Sequence, residues 1–98
     1  MIHVRNIISE RSGEGVRNQF ILRVGNATYF QSYDTMIAKT EPGKTTLVRG
    51  AADYSTTTSK YHYQFLRDKC GFWDIRSKRD LMKAIRDGEF EIVEKIEA

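Results

Sequence analysis

Apolar and polar positions alternate through the first half of the chain and shift to a helical period in the second. Val16 to Val24 places Phe20, Leu22 and Val24 on one face of a strand, with Ile21 and Arg23 on the other. Gly25-Asn26 follows, two residues that tolerate positive φ, and predicts a tight hairpin. If Val24 pairs with Ala27, then Leu22 meets Tyr29 and Ile21 meets Phe30, giving each face an apolar cross-strand pair. Upstream, the β-branched run Ile2 to Ser9 predicts a first strand, separated from the hairpin by the polar loop Glu10–Gly15. Downstream, Gln31 to Thr35 reads as a polar turn. Met36–Thr40 and Thr45–Arg49 read as a second hairpin around Glu41-Pro42-Gly43-Lys44.

After Gly50-Ala51-Ala52 the period changes. Asp53 or Ser55 is placed to cap a helix, its side-chain oxygen accepting from a free backbone N–H two or three residues on. At about 100° per residue, Thr58, Tyr61, His62, Phe65, Leu66 and the stem of Lys69 share the broad core-facing side. Thr56, Lys60, Tyr63 and Arg67 line the opposite side. Cys70-Gly71 ends the helix, glycine being favoured just past a C-terminus. Phe72-Trp73-Asp74-Ile75 is an apolar connector expected to pack on the core. Ser77-Lys78-Arg79-Asp80 resembles a capping box and opens a second helix, with Leu81, Met82 and Ile85 buried and Gly88 closing it. Phe90, Ile92 and Ile96 then alternate as a last strand, with Glu94 a misfit.

Five strands, two helices and a final strand predict an α+β domain, an antiparallel sheet of five to six strands built from hairpins and packed on one face by two helices. The 98 residues suit a single domain, 1–98, with one core. An apolar fraction of 40% and a charged fraction of 30% argue against disorder. No apolar run approaches the roughly 20 residues that cross a bilayer. Met1 to Arg5 lacks the apolar centre of a signal peptide, so a cytosolic protein is expected, and the lone Cys70 suits a reducing compartment.

The net charge of +3 is mild but uneven. Lys60, Arg67, Lys69, Arg76, Lys78, Arg79, Lys83 and Arg86 face only Asp68, Asp74 and Asp80 over the helical half, whereas the last ten residues hold four glutamates. The stripe Thr56, Lys60, Tyr63 and Arg67 combines a hydroxyl, two cations and an aromatic plane. Such a stripe can simply face water, or it can grip a phosphate backbone while a base stacks on the ring. Lys78, Arg79, Lys83 and Arg86 would extend the surface if the helices lie side by side, and Tyr33 offers a second aromatic at a strand end.

Catalytic constellations are missing. His3, His62 and Cys70 stand at no metal-ligand spacing, so no metal and no other cofactor is expected. Cys70 lacks a neighbouring base, and beside a helix-ending glycine it reads as a small buried hydrophobe. Gly13-Glu14-Gly15 lacks the Lys-Ser/Thr and the helix of a phosphate loop. The expectation is a protein that is not an enzyme.

Asn18-Gln19-Phe20, Tyr29-Phe30-Gln31-Ser32-Tyr33-Asp34-Thr35 with Ile37-Ala38, Asp53-Tyr54-Ser55-Thr56-Thr57 with Lys60-Tyr61 and Phe65-Leu66, and Gly88-Glu89-Phe90 together resemble a family of small phage and prophage proteins of unknown function. The resemblance covers most of the chain from Val16 to Phe90 and departs between Arg67 and Ser77. It implies no chemistry. It implies a phage accessory protein, of the kind that binds or blocks host machinery in the host cytosol.

Two functional expectations follow from these residues. One is nucleic-acid binding, RNA or single strands before duplex DNA, through the basic and aromatic helical face. The alternative is a protein partner, with the chain acting as an inhibitor or adaptor on a host enzyme or defence system. There Phe72 and Trp73 would serve as interface anchors.

Overall fold

The computed structural model describes residues 2–97. Five strands follow one another as an antiparallel meander: β1 (Ile2–Ile8), β2 (Gly15–Val24), β3 (Ala27–Ser32), β4 (Thr35–Glu41) and β5 (Lys44–Val48). Helices α1 (Thr56–Cys70) and α2 (Lys78–Arg86) come next, then β6 (Glu91–Val93). The spatial order of the six-stranded sheet repeats the chain order. This is the expected α+β arrangement with one change: β6 runs parallel to β5. Two helices separate the strands, and such a crossover returns the chain in its original direction, whereas a tight turn would reverse it.

The first hairpin has the anticipated register, Val24 with Ala27, Leu22 with Tyr29 and Ile21 with Phe30. The polar break after Phe30 is shorter than expected. Gln31 and Ser32 stay in β3, and only Tyr33-Asp34 turn the chain, Tyr33 adopting φ 55°. Ser32 remains inside because its hydroxyl meets Thr58 Oγ1 at 3.0 Å in a buried contact, which removes the cost of an unpartnered buried hydroxyl. Pro42-Gly43 joins β4 to β5, with Gly43 at φ 80°, a conformation glycine adopts at no steric cost. A bulge in β4 opposite Phe30 and Gln31 lets consecutive Ile37 and Ala38 both reach the interior.

Across the sheet, Ile21, Phe30, Ala38 and Leu47 stand in one register row on the helix side, all buried. Helix α1 lies over this row, contacting β3 and β4, and seats Tyr61, His62, Phe65 and Leu66 on it. Ser55 is its N-cap, Oγ accepting from the Thr58 N–H at 3.3 Å. Gly71, left-handed at φ 80°, ends it and lets the Phe72 N–H reach the Leu66 carbonyl at 3.0 Å.

Four expectations are corrected. Lys69 as a whole is exposed, lining a shallow hollow beside Ile21 and Phe65, while Ser59 and Gln64, outside the expected face, are buried. The buried side is wider than the apolar pattern implied because Gln64 donates to the Ile8 carbonyl at the irregular end of β1. Met82 is exposed and Leu81 alone of α2 is fully buried, since this nine-residue helix presents only a narrow edge to the core. The final segment does not alternate: Phe90 and Ile96 are buried but Ile92, on the last strand of the sheet, is exposed. In the connector, Ile75 is buried and Phe72 packs on Phe90 with ring centroids 4.7 Å apart, but Trp73 is 74% exposed.

Candidate functional site

The outer side of α1 does not lie flat in water. Thr56, Ser59, Lys60, Tyr63 and Arg67 line a groove of about 660 Å³, completed by Glu10 from the β1–β2 loop, by Ala52, Asp53 and Tyr54 ahead of α1, and by Arg76 and Lys78 at the start of α2. That volume falls within the roughly 300–1,000 Å³ typical of small-ligand sites.

Arg67 holds the groove together. Its guanidinium donates to the Ile75 carbonyl at 3.0 Å and to the Glu10 carboxylate at 2.6 Å, tying the connector and the β1–β2 loop to α1. Its side chain is only 13% exposed. The sequence reading set Arg67 outward as a free cation, and the structure corrects this: a long side chain on the rim of a helix folds down wherever a carbonyl and a carboxylate converge on it. Arg67→Ala is expected to lower the unfolding free energy by about 1–2 kcal/mol, because the Ile75 carbonyl loses its donor. Glu10→Gln, at a half-exposed carboxylate, is expected to cost under about 1 kcal/mol. Urea denaturation of the three proteins measures both.

The other anticipated residues divide. Thr56 and Lys60 are exposed in the groove and Tyr63 is half-buried there. Lys60 Nζ lies 5.3 Å from the centre of the Tyr61 ring, a cation–π contact that keeps the ammonium at the surface. Lys78 reaches the groove but pairs with Asp53 at 3.0 Å. Arg79, Lys83 and Arg86 do not line it. Helix α2 does not extend the α1 stripe, and Lys83 is drawn instead to Asp87, four residues on, at 2.7 Å. Tyr33 is 62% exposed at the β3–β4 turn, outside the groove, its N–H donating to the Asn18 carbonyl at 2.7 Å.

Sequence reasoning passed over Tyr54 and Arg76 as binding candidates. Tyr54 lay within the dense hydroxyl and aromatic run, next to the cap, and that position was the available signal. Arg76 was visible only as one cation of the basic helical half, because its place in the groove depends on the folding-back of the connector that Arg67 pins. Within the groove four cations stand against two carboxylates, and both carboxylates are already paired, with Arg67 and Lys78. Lys60 and Arg76 have no ion-pair partner among the described residues.

Cys70 and His62 are both held toward their uncharged forms. Burial pushes the Cys70 thiol up to about 12, outweighing the contacts with Thr40 and Thr45 that favour the thiolate, so at neutral pH it is not ionised. Burial pushes His62 down to about 4. Among the described residues no group of three or more His, Cys, Asp or Glu could hold a metal ion, and no helix is long and apolar enough to cross a membrane.

Fold and groove together define a small α+β protein: a six-stranded sheet, one face covered by helix α1, and a mixed-charge aromatic groove on that helix's outer side. The chain belongs to a family of unknown function, DUF8033, whose pattern matches residues 2–83. No curated protein and no solved structure matches it. The matched residues take in β1 to β5, all of α1 and the opening of α2, and therefore every residue of the groove.

Proposed function

We propose that the protein is a non-enzymatic phage accessory protein that holds a short stretch of single-stranded nucleic acid in the α1 groove, in the cytosol of its host. One observation carries this reading: Tyr63 and Tyr54 line the groove together with Lys60 and Arg76, two cations without an ion-pair partner among the described residues. Aromatic planes accept bases of any sequence, and free cations track phosphates. The groove is local, which suits a short single strand better than a duplex.

Fluorescence anisotropy with a labelled oligouridylate tests the reading. Affinity is expected to fall steeply as salt rises, with Lys60→Ala flattening the log–log slope by about 0.7, the value for one phosphate contact on a single strand. Tyr63→Ala is expected to weaken binding about tenfold, within the stacking range of roughly 1–3 kcal/mol per base. Absence of binding at low salt, or binding indifferent to salt, would refute it.

A second reading, an inhibitor or adaptor that docks on a host protein, is favoured by Trp73, whose indole is 74% exposed beside the anchored Phe72. A partner retained from nuclease-treated host lysate by the native protein and lost with Trp73→Ala would favour it over the first.

A further inference from the structure

Strand β1 is one of the two edge strands of the sheet, seven residues long, and no strand among the described residues pairs with its outer side. Its two faces are unlike. Ile2 and Val4 are 57% and 59% exposed on the face they share with Val24 and Leu22. On the helix face, His3 stands opposite Arg23, and Arg23 opposite Thr28. With Arg5 and Lys69 they line a second groove of about 330 Å³, which has no carboxylate among its described lining residues. Arg5, Arg23 and Lys69 have no ion-pair partner among the described residues, and the nearby Asp68 lines the adjoining hollow without pairing to either Arg5 or Lys69.

An unpaired edge with exposed apolar residues is a hazard that proteins ordinarily blunt. Arg5 and Arg23 stand diagonally across the β1–β2 pair, within reach of each other's long side chains, so their like charges work against the pairing. The fold has no use for this combination, whereas a ligand does.

We propose that β1 is a docking edge for an extended acidic segment of a partner protein, in which acidic residues alternate with apolar ones, and which adds to the sheet beside β1. This goes beyond the reading of the α1 groove and uses none of its residues. The free N–H and C=O groups along β1 match a peptide backbone, which supplies both donors and acceptors. A phosphodiester supplies acceptors alone and cannot pair with the β1 carbonyls. The period of two sends alternate side chains of the added strand to opposite faces, acidic ones toward Arg5, Arg23 and Lys69, apolar ones over Ile2 and Val4. A second copy of the chain fits worse. Antiparallel self-pairing that keeps Ile2 and Val4 on one face sets His3 and Arg5 against each other or against their own copies.

The probe is a dye-labelled peptide of alternating glutamate and valine, with its lysine–valine counterpart as control, titrated against the whole protein. Saturable binding of the acidic peptide alone is expected, with slowed hydrogen exchange at the β1 amides that point away from β2. Arg5→Glu combined with Arg23→Glu is expected to weaken it at least about tenfold, the discrimination that opposed like charges provide. Circular dichroism checks that the double variant keeps its fold, and the exchange measurement on the native protein stands without it. Tyr63→Ala is expected to leave peptide binding intact, separating this edge from the α1 groove. No binding, binding without protection of the β1 amides, or undiminished binding by a folded double variant would overturn the proposal. So would a concentration-dependent doubling of mass through β1, or loss of oligonucleotide binding in the double variant.

Discussion

Truncating Phe65 to alanine is expected to lower the unfolding free energy by about 3–5 kcal/mol, the range for large aromatic side chains removed from a packed core. Phe65 is fully buried, its ring 5.7 Å from that of Phe30, on the row of sheet residues that α1 covers. Deleting the ring opens a void between helix and sheet that neither rigid element can close. For a domain of this size the total stability is about 5–15 kcal/mol, so the variant stands near the edge of folding. Urea denaturation is expected to show a lower midpoint with an unchanged slope. Phe65→Leu is expected to lose less, because most of the volume is retained. A loss below about 1 kcal/mol for the alanine variant would mean that α1 does not dock on this row.

The second large effect is a pH dependence centred on His62. The imidazole is 1% exposed, stacked parallel to Phe30 with centroids 5.7 Å apart. Neither ring nitrogen has a hydrogen-bond partner among the described residues. Burial pushes it down from 6.5 to about 4, and the backbone of Ala51 opposes this only weakly, short of hydrogen-bonding geometry. The unfolded chain therefore takes up a proton at a pH where the folded chain does not. Stability is full above about 6.5, falls as pH drops through that value, and stops falling for this reason below about 4. The shift corresponds to about 3 kcal/mol across the window. His62→Phe, which fills the same slot with a ring that cannot charge, is expected to flatten the profile there. Unfolding free energies at several pH values between 7 and 4 measure it, and equal slopes in the two proteins would refute the assignment.

Much of the sheet was legible in the sequence because a strand's side chains alternate and a tight turn needs particular residues. Gly25-Asn26 sets where β2 ends, and Leu22, Tyr29, Ile21 and Phe30 then have one pairing that satisfies both faces. The core side of α1 was legible for the same kind of reason, since Tyr61, His62, Phe65 and Leu66 recur at helical spacing. Gln64 and Ser32 were not, because a polar residue enters the interior only where a distant partner meets it, Ile8 for one and Thr58 for the other.

The stripe of Thr56, Lys60 and Tyr63 follows from residue spacing alone, and so does its position opposite the buried face. Whether the cations beside it remain free does not. Arg67 is engaged by Glu10, which lies far away in the chain, and Lys78 by Asp53 across the start of α1. Arg76 enters the groove only because the connector folds back. Local sequence thus determined which elements form and which face each one buries, since propensity, capping and periodicity act within a few residues. Tertiary structure decided the parallel pairing of β6, the closing of the groove and the pairing of its charges. Those depend on contacts between residues far apart in the chain, and such contacts exist only once the helices have come down on the sheet.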